Sequence, residues 1–225
     1  MKICIDAGHN YSGWNTGAVG CGLREQDITW QIAERLRVRL ERVGVKVVMT
    51  RPTLETNLGS DNDGSLRARY TIANDNSCDL FVSIHCNSGG GSGTETLIYK
   101  SGSDAEKLAW RVQQKIVERL ALRNRGVKLR PDLAVLKHTR MPAIFIETAF
   151  IDNAEDADNL VNNQEDFAAA ICEGLCEYCG IEVREETRRE RAERIIRERC
   201  DTPQVWLAQL DTVPYFAEFV CKIGG

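Results

Sequence analysis

Residues 79–87 read DLFVSIHCN, and the fold class follows from this stretch. A short apolar run rich in Val, Ile and Phe that ends in polar residues is typical of a strand buried inside a parallel sheet. Residues 2–6 (KICID) and 143–146 (AIFI) have the same character. Between such strands, residues 28–40 and 108–120 repeat apolar side chains at four-residue spacing, as one face of a helix does. The alternation predicts an α/β fold, in which a twisted, mostly parallel sheet is flanked by helices on both faces.

Further segments extend this sheet and its helical layers. After a polar loop over residues 53–64, Ser65 has the character of a helix N-cap. The remaining predicted strands are residues 45–49, 95–99 and 133–136, and the remaining predicted helices are residues 104–122 and 157–179. Together these segments predict a core domain over residues 1–182.

The composition changes abruptly beyond the core domain. Residues 183–199 are dense in Arg and Glu, with pairs such as Glu185 and Arg189 at the i to i+4 spacing that is typical of a solvated helix. Pro203 is typical of the first position of a second helix, and aromatic residues follow it. A helical hairpin over residues 183–225 is too small to bury its apolar surface alone. We therefore expect this small helical appendage to pack on the core domain, on a second copy of the chain in a homodimer, or on another partner.

The composition of the 225-residue chain sets limits on its function. With 43% hydrophobic and 28% charged residues, the chain can bury an ordinary globular core. A net charge of -4 offers no footprint for a polyanion, so we expect no nucleic-acid partner. The nine cysteines are odd in number and lie in apolar runs, which indicates synthesis in a reducing compartment. Because no apolar stretch has the length of a signal peptide or of a membrane span, we expect cytoplasmic synthesis without a signal peptide.

Two of the three histidines occupy the same kind of position. His9 follows the first predicted strand and His85 lies at the end of the third, and the carboxyl ends of parallel strands meet at one edge of a sheet. Two imidazoles at one edge favour a metal site, although a single histidine in such a place is more often a satisfied loop or core residue. A catalytic zinc site takes a third protein ligand, commonly a carboxylate. Glu25, before the first helix, is the candidate, and both Glu25 and Asp27 also fit the alternative role of complementing the helix dipole.

Glu147 is a carboxylate at the end of the apolar strand over residues 143–146. A buried carboxylate is costly without a partner, so a purely structural role is disfavoured. Burial raises the pKa of a carboxylate, and an adjacent cation lowers it. A glutamate beside zinc can therefore be poised to take up and return a proton near neutral pH, which is the work of a general base and acid.

Six strings of the sequence identify a family by their order. They are IDAGH at 5–9, TR at 50–51, SLRAR at 65–69, IAN at 72–74, DLFVSIHCN at 79–87 and MPAIFIETAFIDN at 141–153. With these strings, residues 1–182 resemble the zinc-dependent N-acetylmuramoyl-L-alanine amidases of the Amidase_3 family. The resemblance implies a twisted α/β sheet flanked by helices, in agreement with the alternation above. It also implies that His9, Glu25 and His85 bind Zn2+ and that Glu147 is the catalytic glutamate.

The resemblance also supplies a reaction. It implies hydrolysis of the amide bond between N-acetylmuramic acid and L-alanine in peptidoglycan, with zinc activating a water molecule while Glu147 moves the proton. Asn87 and Arg51, which lie in the matching strings, are expected to contact the muramyl peptide. A wall-directed enzyme without an export signal resembles the phage endolysins, which are made in the cytoplasm and act on the cell wall after release.

Two alternatives to a phage endolysin stay open. One is a host amidase for cell-wall remodelling or sporulation, and the other is a non-catalytic wall-binding module with the same fold. The presence of all four implied site residues speaks against the second alternative. For residues 183–225, the surplus of aromatic residues leaves two candidate roles, oligomerisation and targeting to the cell wall.

Overall fold

The computed structural model describes residues 1–182 and 188–223 of the chain. The chain divides into two compact units, Met1–Glu182 and Val183–Gly225. The first unit carries a six-stranded sheet with helices on both faces, and the second contains short helices. Within the described residues, no helix is both long enough and apolar enough to cross a lipid bilayer.

The first unit is organised around a mostly parallel sheet. Its strands are β1 (Lys2–Ala7), β2 (Val19–Gly20), β3 (Leu23–Arg24), β4 (Lys46–Met49), β5 (Leu80–Asn87), β6 (Thr94–Ile98), β7 (Asn124–Leu129) and β8 (Ala143–Phe150). Six of them form one sheet in the order β4-β1-β5-β8-β6-β7, and β2 pairs with β3 in a separate short ribbon. Every neighbouring pair in the large sheet is parallel except β6 and β8, which are antiparallel. The predicted α/β class and the mostly parallel sheet are therefore confirmed.

Helices cover both faces of this sheet. Their bounds are α1 (Glu25–Arg42), α2 (Asn62–Asp75), α3 (Asp104–Leu120), α4 (Ala134–Lys137), α5 (Ala154–Asn162) and α6 (Gln164–Cys179). On one face, α1, α3 and α6 bury their apolar side chains in the larger core, which contains Val82. On the other face, α2 and α4 pack in a smaller core with Phe81 and Phe145. Successive side chains of a strand point to opposite faces, so β5 supplies Phe81 to one core and Val82 to the other.

The structure corrects the prediction at the far side of the sheet. Residues 133–136 lie largely in the short helix α4, so the strand predicted there is wrong. Val135 and Leu136 are consecutive and both enter the smaller core, which a helix allows and an alternating strand does not. A short apolar run does not distinguish the two forms by itself. The sequence did not predict β7, because NRGVKL is polar and interrupted by glycine, as suits an exposed edge strand.

Two helix boundaries also differ from the prediction. The N-cap of α2 is Asp61, whose side chain accepts a hydrogen bond from the Gly64 N–H at 2.6 Å, so Ser65 as the N-cap is wrong. Ser65 is instead buried within the helix. The single helix predicted over residues 157–179 is two helices, α5 and α6, because Asn163 leaves helical geometry with φ -118° and ψ 28°.

The second unit contains α7 (Arg188–Arg199), α8 (Pro203–Leu207), α9 (Gln209–Thr212) and α10 (Phe216–Ile223). Ile196 of α7 and Val220 of α10 are buried together in a small core of this unit. Pro203 begins α8 as predicted, but the second arm of the predicted hairpin is three short helices. The predicted pair of Glu185 and Arg189 includes Glu185, which lies outside the described residues.

Candidate metal and catalytic site

Three predicted metal ligands converge at the carboxyl edge of the sheet. His9 lies just after β1, Glu25 is the first residue of α1, and His85 lies near the end of β5. Glu25 Oε1 is 2.9 Å from His9 Nε2 and 3.1 Å from His85 Nδ1, and these two ring nitrogens are 3.1 Å apart. In the part of the chain that the structure describes, this is the group of His, Cys, Asp or Glu side chains placed to share a metal ion.

The donor atoms fit a tetrahedral metal ion. Ligand atoms about 2.0–2.1 Å from a tetrahedral zinc are about 3.3 Å from one another, which is close to the separations in the cluster. Two imidazole nitrogens and one carboxylate oxygen are a donor set that zinc hydrolases use, with the fourth position left for water or substrate. The three side chains therefore form a possible metal site.

Backbone and side-chain contacts fix the orientation of His9. Its φ of 66° is in the left-handed region, which is uncommon for a residue other than glycine. Its Nδ1 lies 2.9 Å from Asn15 Oδ1, which leaves Nε2 to face Glu25. Arg69 Nη2 donates a hydrogen bond to the His9 carbonyl oxygen at 2.6 Å. A metal-binding imidazole is commonly oriented through its second nitrogen in this way.

Two glycines make room for the ligand side chains. A Cβ atom at Gly8 would lie 2.4 Å from His85 Cε1, so a side chain there would displace the ring. A Cβ atom at Gly17 would lie 2.7 Å from His9 Cδ2 and 2.8 Å from Glu25 Oε2. The close approach of His85 to the backbone thus explains the glycine in the IDAGH string.

The charge states of the cluster suit metal binding. Glu25 Oε2 accepts a hydrogen bond from the Ala18 N–H at 2.8 Å, and Oε1 accepts one from the Cys86 N–H at 2.9 Å. Burial alone would raise the pKa of Glu25, but its hydrogen bonds with His85 and His9 lower it well below its ordinary value. Burial lowers the pKa of His85, which favours the neutral imidazole that a metal ion requires.

Residues of β8 hold His85 in place. The His85 ring stacks on Phe145 with 3.9 Å between ring centroids and 13° between ring planes. Thr148 Oγ1 donates a hydrogen bond to the His85 carbonyl oxygen at 2.8 Å. Because β5 and β8 are paired along these residues, the position of His85 depends on strand pairing.

A buried ion pair lies next to the predicted metal ligands. Arg69 Nη1 donates to Asp6 Oδ1 at 2.7 Å, and the two side chains are only 2% and 0% exposed. Asp6 also accepts hydrogen bonds from the Thr50 and Ser83 hydroxyls at 2.6 Å each. Burial would raise the pKa of Asp6, but Arg69 and the two hydroxyls lower it below its ordinary value. The pair ties β1 to α2, and Arg69 extends this connection to the His9 carbonyl.

Arg51 is fully buried, which corrects the prediction that it contacts the substrate. Its guanidinium donates hydrogen bonds to the carbonyl oxygens of Gly8 and Gln26 at 3.0 Å each and of Leu54 at 2.7 Å. Burial and the neighbouring Arg69 lower the pKa of Arg51 to about 10. Arg51 therefore braces the backbone before His9 and the start of α1, and it offers no surface to a substrate.

Glu147 lies on β8, beside the three predicted metal ligands. It is in register with His85 of β5 on one side and with Glu95 of β6 on the other, so the three side chains share one face of the sheet. Burial and repulsion from Glu25 and Glu95 raise the pKa of Glu147 to about 8. Its Oε2 atom is buried and has no hydrogen-bond partner among the described residues. An unpaired carboxyl group with a pKa near neutrality is poised to take up and release a proton.

Asn87 borders this site, two residues beyond His85 on the same face of β5. The side chain is half-buried, and its Nδ2 donates to Glu95 Oε1 at 3.2 Å. Glu95 in turn accepts hydrogen bonds from Arg125 Nε at 2.6 Å and from Lys128 Nζ. A polar network thus runs from Asn87, at the end of β5, to the edge strand β7.

Sequence reasoning missed four residues that support the site: Asp6, Asn15, Arg69 and Glu95. Asp6 and Arg69 lie in the quoted strings IDAGH and SLRAR, and a carboxylate inside a buried strand requires a polar partner. That requirement was the available signal for Asp6. Asn15 and Glu95 lie in segments of mixed polarity, where no local pattern marks them.

Comparisons with known proteins agree with this geometry. Residues 3–177 match the family described as N-acetylmuramoyl-L-alanine amidase, Amidase_3. The chain is 38% identical over 178 residues to N-acetylmuramoyl-L-alanine amidase CwlM of Bacillus licheniformis, with 77% of this chain and 65% of that protein covered. It is 33% identical over 189 residues to the endolysin of Bacillus phage SPP1, with 80% and 66% covered. It therefore spans about two thirds of the length of these two curated relatives.

The fold also matches that of a solved structure. The crystal structure of N-acetylmuramoyl-L-alanine amidase from Clostridium difficile 630 gives a TM-score of 0.72 at 30% sequence identity. The match covers 81% of this chain and 98% of that one. The matched share is comparable with the share of the chain in Met1–Glu182.

Proposed function

The chain belongs to the Amidase_3 family of N-acetylmuramoyl-L-alanine amidases, and from this membership we propose that it hydrolyses the amide bond between N-acetylmuramic acid and L-alanine in peptidoglycan. In this proposal His9, Glu25 and His85 hold Zn2+. The observation that carries the proposal is the convergence of these three side chains beside the half-buried carboxyl group of Glu147, whose buried Oε2 atom has no hydrogen-bond partner among the described residues. A non-catalytic wall-binding module does not account for that Oε2 atom, because an unpaired buried polar atom costs stability.

The site divides the work of hydrolysis among its parts. When bound, zinc supplies Lewis acidity, which polarises the scissile carbonyl and makes a water molecule more acidic. Glu147 takes a proton from the attacking water and gives it to the nitrogen of L-alanine as the C–N bond breaks. The products are a carboxylate on the lactyl group and a free amine on the stem peptide, so the elements of one water molecule are consumed.

Asn87 contacts the muramyl peptide in this proposal. Its Nδ2 carries two hydrogens and donates one of them to Glu95. The second hydrogen is available to a carbonyl group of the substrate. Because the side chain is half-buried at the border of the site, such a hydrogen bond would orient the peptide with little loss of side-chain freedom.

Glu147→Gln tests the catalytic part of the proposal. We expect the variant to lose about 100-fold or more of its peptidoglycan hydrolysis, because general acid and base catalysis is worth about that much. Mass spectrometry of peptidoglycan digested by the wild type should show new L-alanine amino termini, and metal analysis should show zinc in both proteins. Glu118→Gln, an exposed glutamate on α3, is the matched control and should leave activity unchanged. Equal hydrolysis by the wild type and Glu147→Gln would contradict the mechanism.

The biological setting that we propose is lysis of the cell wall by a phage endolysin. The similarity to the endolysin of Bacillus phage SPP1 supports this setting. In bacteria that produce the protein internally, lysis should then require permeabilisation of the membrane. Lysis without permeabilisation would contradict it, and production of the protein only in sporulating or growing host cells would favour a host remodelling or sporulation amidase.

We further propose that residues 1–182 form the catalytic domain and residues 183–225 a separate helical module. Trp206, Tyr215 and Phe219 of the second unit are exposed, and exposed aromatic clusters mark interaction surfaces. The module would then mediate homodimerisation or wall targeting. Deleting residues 183–225 should convert a dimer to a monomer in solution in the first case and reduce pelleting with cell walls in the second. An unchanged oligomeric state together with unchanged pelleting would contradict both roles.

A further inference from the structure

Three cationic side chains lie on or directly after the edge strand β7. They are Arg125, Lys128 and Arg130, and we call them the β7 cations. The proposed reaction does not use them. Charged residues on an edge strand commonly prevent pairing with other sheets, so their presence alone indicates no further role. Their placement relative to Glu147, however, indicates a role in binding the substrate.

A bulge in β7 brings Arg125 and Lys128 to the same face. Thr94 of β6 pairs with Asn124, and Thr96 pairs with Val127. Over this stretch β7 therefore advances by three residues while β6 advances by two. Without the extra residue, side chains three positions apart would point to opposite faces of the sheet. Bulges near active sites often redirect a side chain in this way.

Hydrogen bonds confirm that these cations share the face of the catalytic carboxyl group. Arg125 and Lys128 both donate to Oε2 of Glu95, and Glu95 is in register with Glu147. Arg130 lies two positions beyond Lys128, and its N–H continues the ladder by donating to the Ile98 carbonyl oxygen at 2.8 Å. By strand alternation, Arg130 therefore faces the same side as Lys128.

The β7 cations are fixed but still accessible. The guanidinium of Arg125 lies 4.9 Å from the centre of the Phe150 ring and is bonded to Glu95 on its other side. The side chains of Lys128 and Arg130 are 43% and 46% exposed. Only Glu95 and Asp132 pair with the three cations among the described residues, so the cluster keeps an excess of positive charge in a chain of net charge -4. Such a surface attracts an anionic part of a substrate.

We propose that the β7 cations bind a carboxylate of the stem peptide on the L-alanine side of the scissile bond. This inference rests on the proposed amidase function. Neighbouring strands are about 4.8 Å apart, so β7 is about 10 Å from β8 and Glu147. An extended peptide spans about 3.3 Å per residue, and a carboxylate within three residues of L-alanine therefore reaches the β7 cations. Glu95 is the positioning residue, because it holds Arg125 and Lys128 on this face.

The test uses two synthetic N-acetylmuramoyl-L-alanyl peptides of identical sequence. One has free carboxylates at the second and third residues, and the other has carboxamides at both. Lys128→Gln is expected to lower kcat/KM for the carboxylate peptide by about 3- to 10-fold, because KM rises. For the carboxamide peptide, kcat/KM should fall by less than about 2-fold. Lys107→Gln, an exposed and similarly paired lysine on α3, is the control and should change neither value. Lys128→Arg keeps the charge and should retain the preference for the carboxylate peptide.

Salt and stability measurements separate the outcomes. The preference of the wild type for the carboxylate peptide should shrink as ionic strength rises from about 50 to 500 mM, because screening weakens exposed charge pairs. Equal cleavage of both peptides by the wild type, or equal losses on both in a folded Lys128→Gln variant, would overturn the inference and leave the amidase function intact. If the wild type releases L-alanine amine from neither peptide nor from peptidoglycan, the proposed function itself fails. Thermal unfolding shows whether each variant is folded, and Arg125→Gln repeats the test at a second position.

Discussion

Replacing Arg69 by methionine removes the cation from a fully buried ion pair and keeps most of the apolar volume of the side chain. Asp6 would retain only the Thr50 and Ser83 hydroxyls as hydrogen-bond donors. Breaking a buried pair by removing one partner costs about 3–5 kcal/mol, because the remaining charge stays desolvated. Against a total stability of about 5–15 kcal/mol, this is a severe loss. We expect Arg69→Met to lower the free energy of unfolding at pH 7 by that amount.

The stability lost in Arg69→Met should depend on pH, and the pKa of Asp6 determines whether the loss grows or shrinks as the pH falls. In the wild type the pKa of Asp6 is lowered, so its contribution to stability is present above the unfolded-state pKa of about 3.9 and is lost as the pH falls. In Arg69→Met, burial is no longer opposed by a cation and should raise the pKa of Asp6 above that value. The variant then gains relative stability as Asp6 takes up a proton. The difference in free energy of unfolding between the two proteins should therefore shrink from pH 7 to about pH 3. Each unit by which the pKa of Asp6 in the variant exceeds that in the wild type corresponds to about 1.4 kcal/mol.

Urea unfolding followed by circular dichroism at several pH values measures both effects. Arg67→Met, two positions away on the exposed side of α2, is the matched control and should change stability by less than about 0.5 kcal/mol. A loss below about 1 kcal/mol at pH 7 would refute the reasoning about the buried pair. A loss that is the same at every pH would show that packing, and not the charge of Asp6, is responsible.

Two further predictions concern the metal site. Gly8→Ala should reduce zinc affinity and peptidoglycan hydrolysis by about 10-fold or more, because its Cβ would lie 2.4 Å from the His85 ring; unchanged zinc content, measured by metal analysis after dialysis, would contradict this. A strong chelator should abolish hydrolysis, and added zinc should restore it. His9→Ala should lose the bound metal, whereas His138→Ala, which alters the remaining histidine, should keep it. Metal bound equally by both variants would contradict the ligand assignment.

Much of the fold is readable from local patterns because burial leaves a period in the sequence. The apolar residues Ile28, Ile32, Leu36 and Leu40 repeat at helical spacing, and all four are buried on α1. Residues 80–84 are apolar except for Ser83, because the central strand β5 is covered on both faces. The prediction failed at residues 133–136 and at β7, where an apolar run is too short or a strand is too exposed for a period to show.

The site was predictable to the extent that its chemistry depends on residue type and on position along a strand. His9 follows β1 and His85 lies near the end of β5, two strands that end at the same edge, and Glu147 interrupts an apolar strand. Arg51 shows the limit of this reasoning. An arginine just beyond a strand end was expected to face the substrate, but its guanidinium turns inward to three backbone carbonyls. Local sequence carries no information about which carbonyls lack a donor.

The sequence by itself determined the class of the fold, the order of its main elements and the types of side chain at the sheet edge, because these depend on interactions between near neighbours. Only the tertiary structure decided that Glu25 Oε1 lies within 3.1 Å of both histidines and that Asp6 is paired with Arg69. It also decided that a bulge in β7 turns Arg125 and Lys128 toward the face of Glu147. These distances depend on strand register and on packing between residues far apart in the chain, and a one-residue change of register moves a side chain to the opposite face.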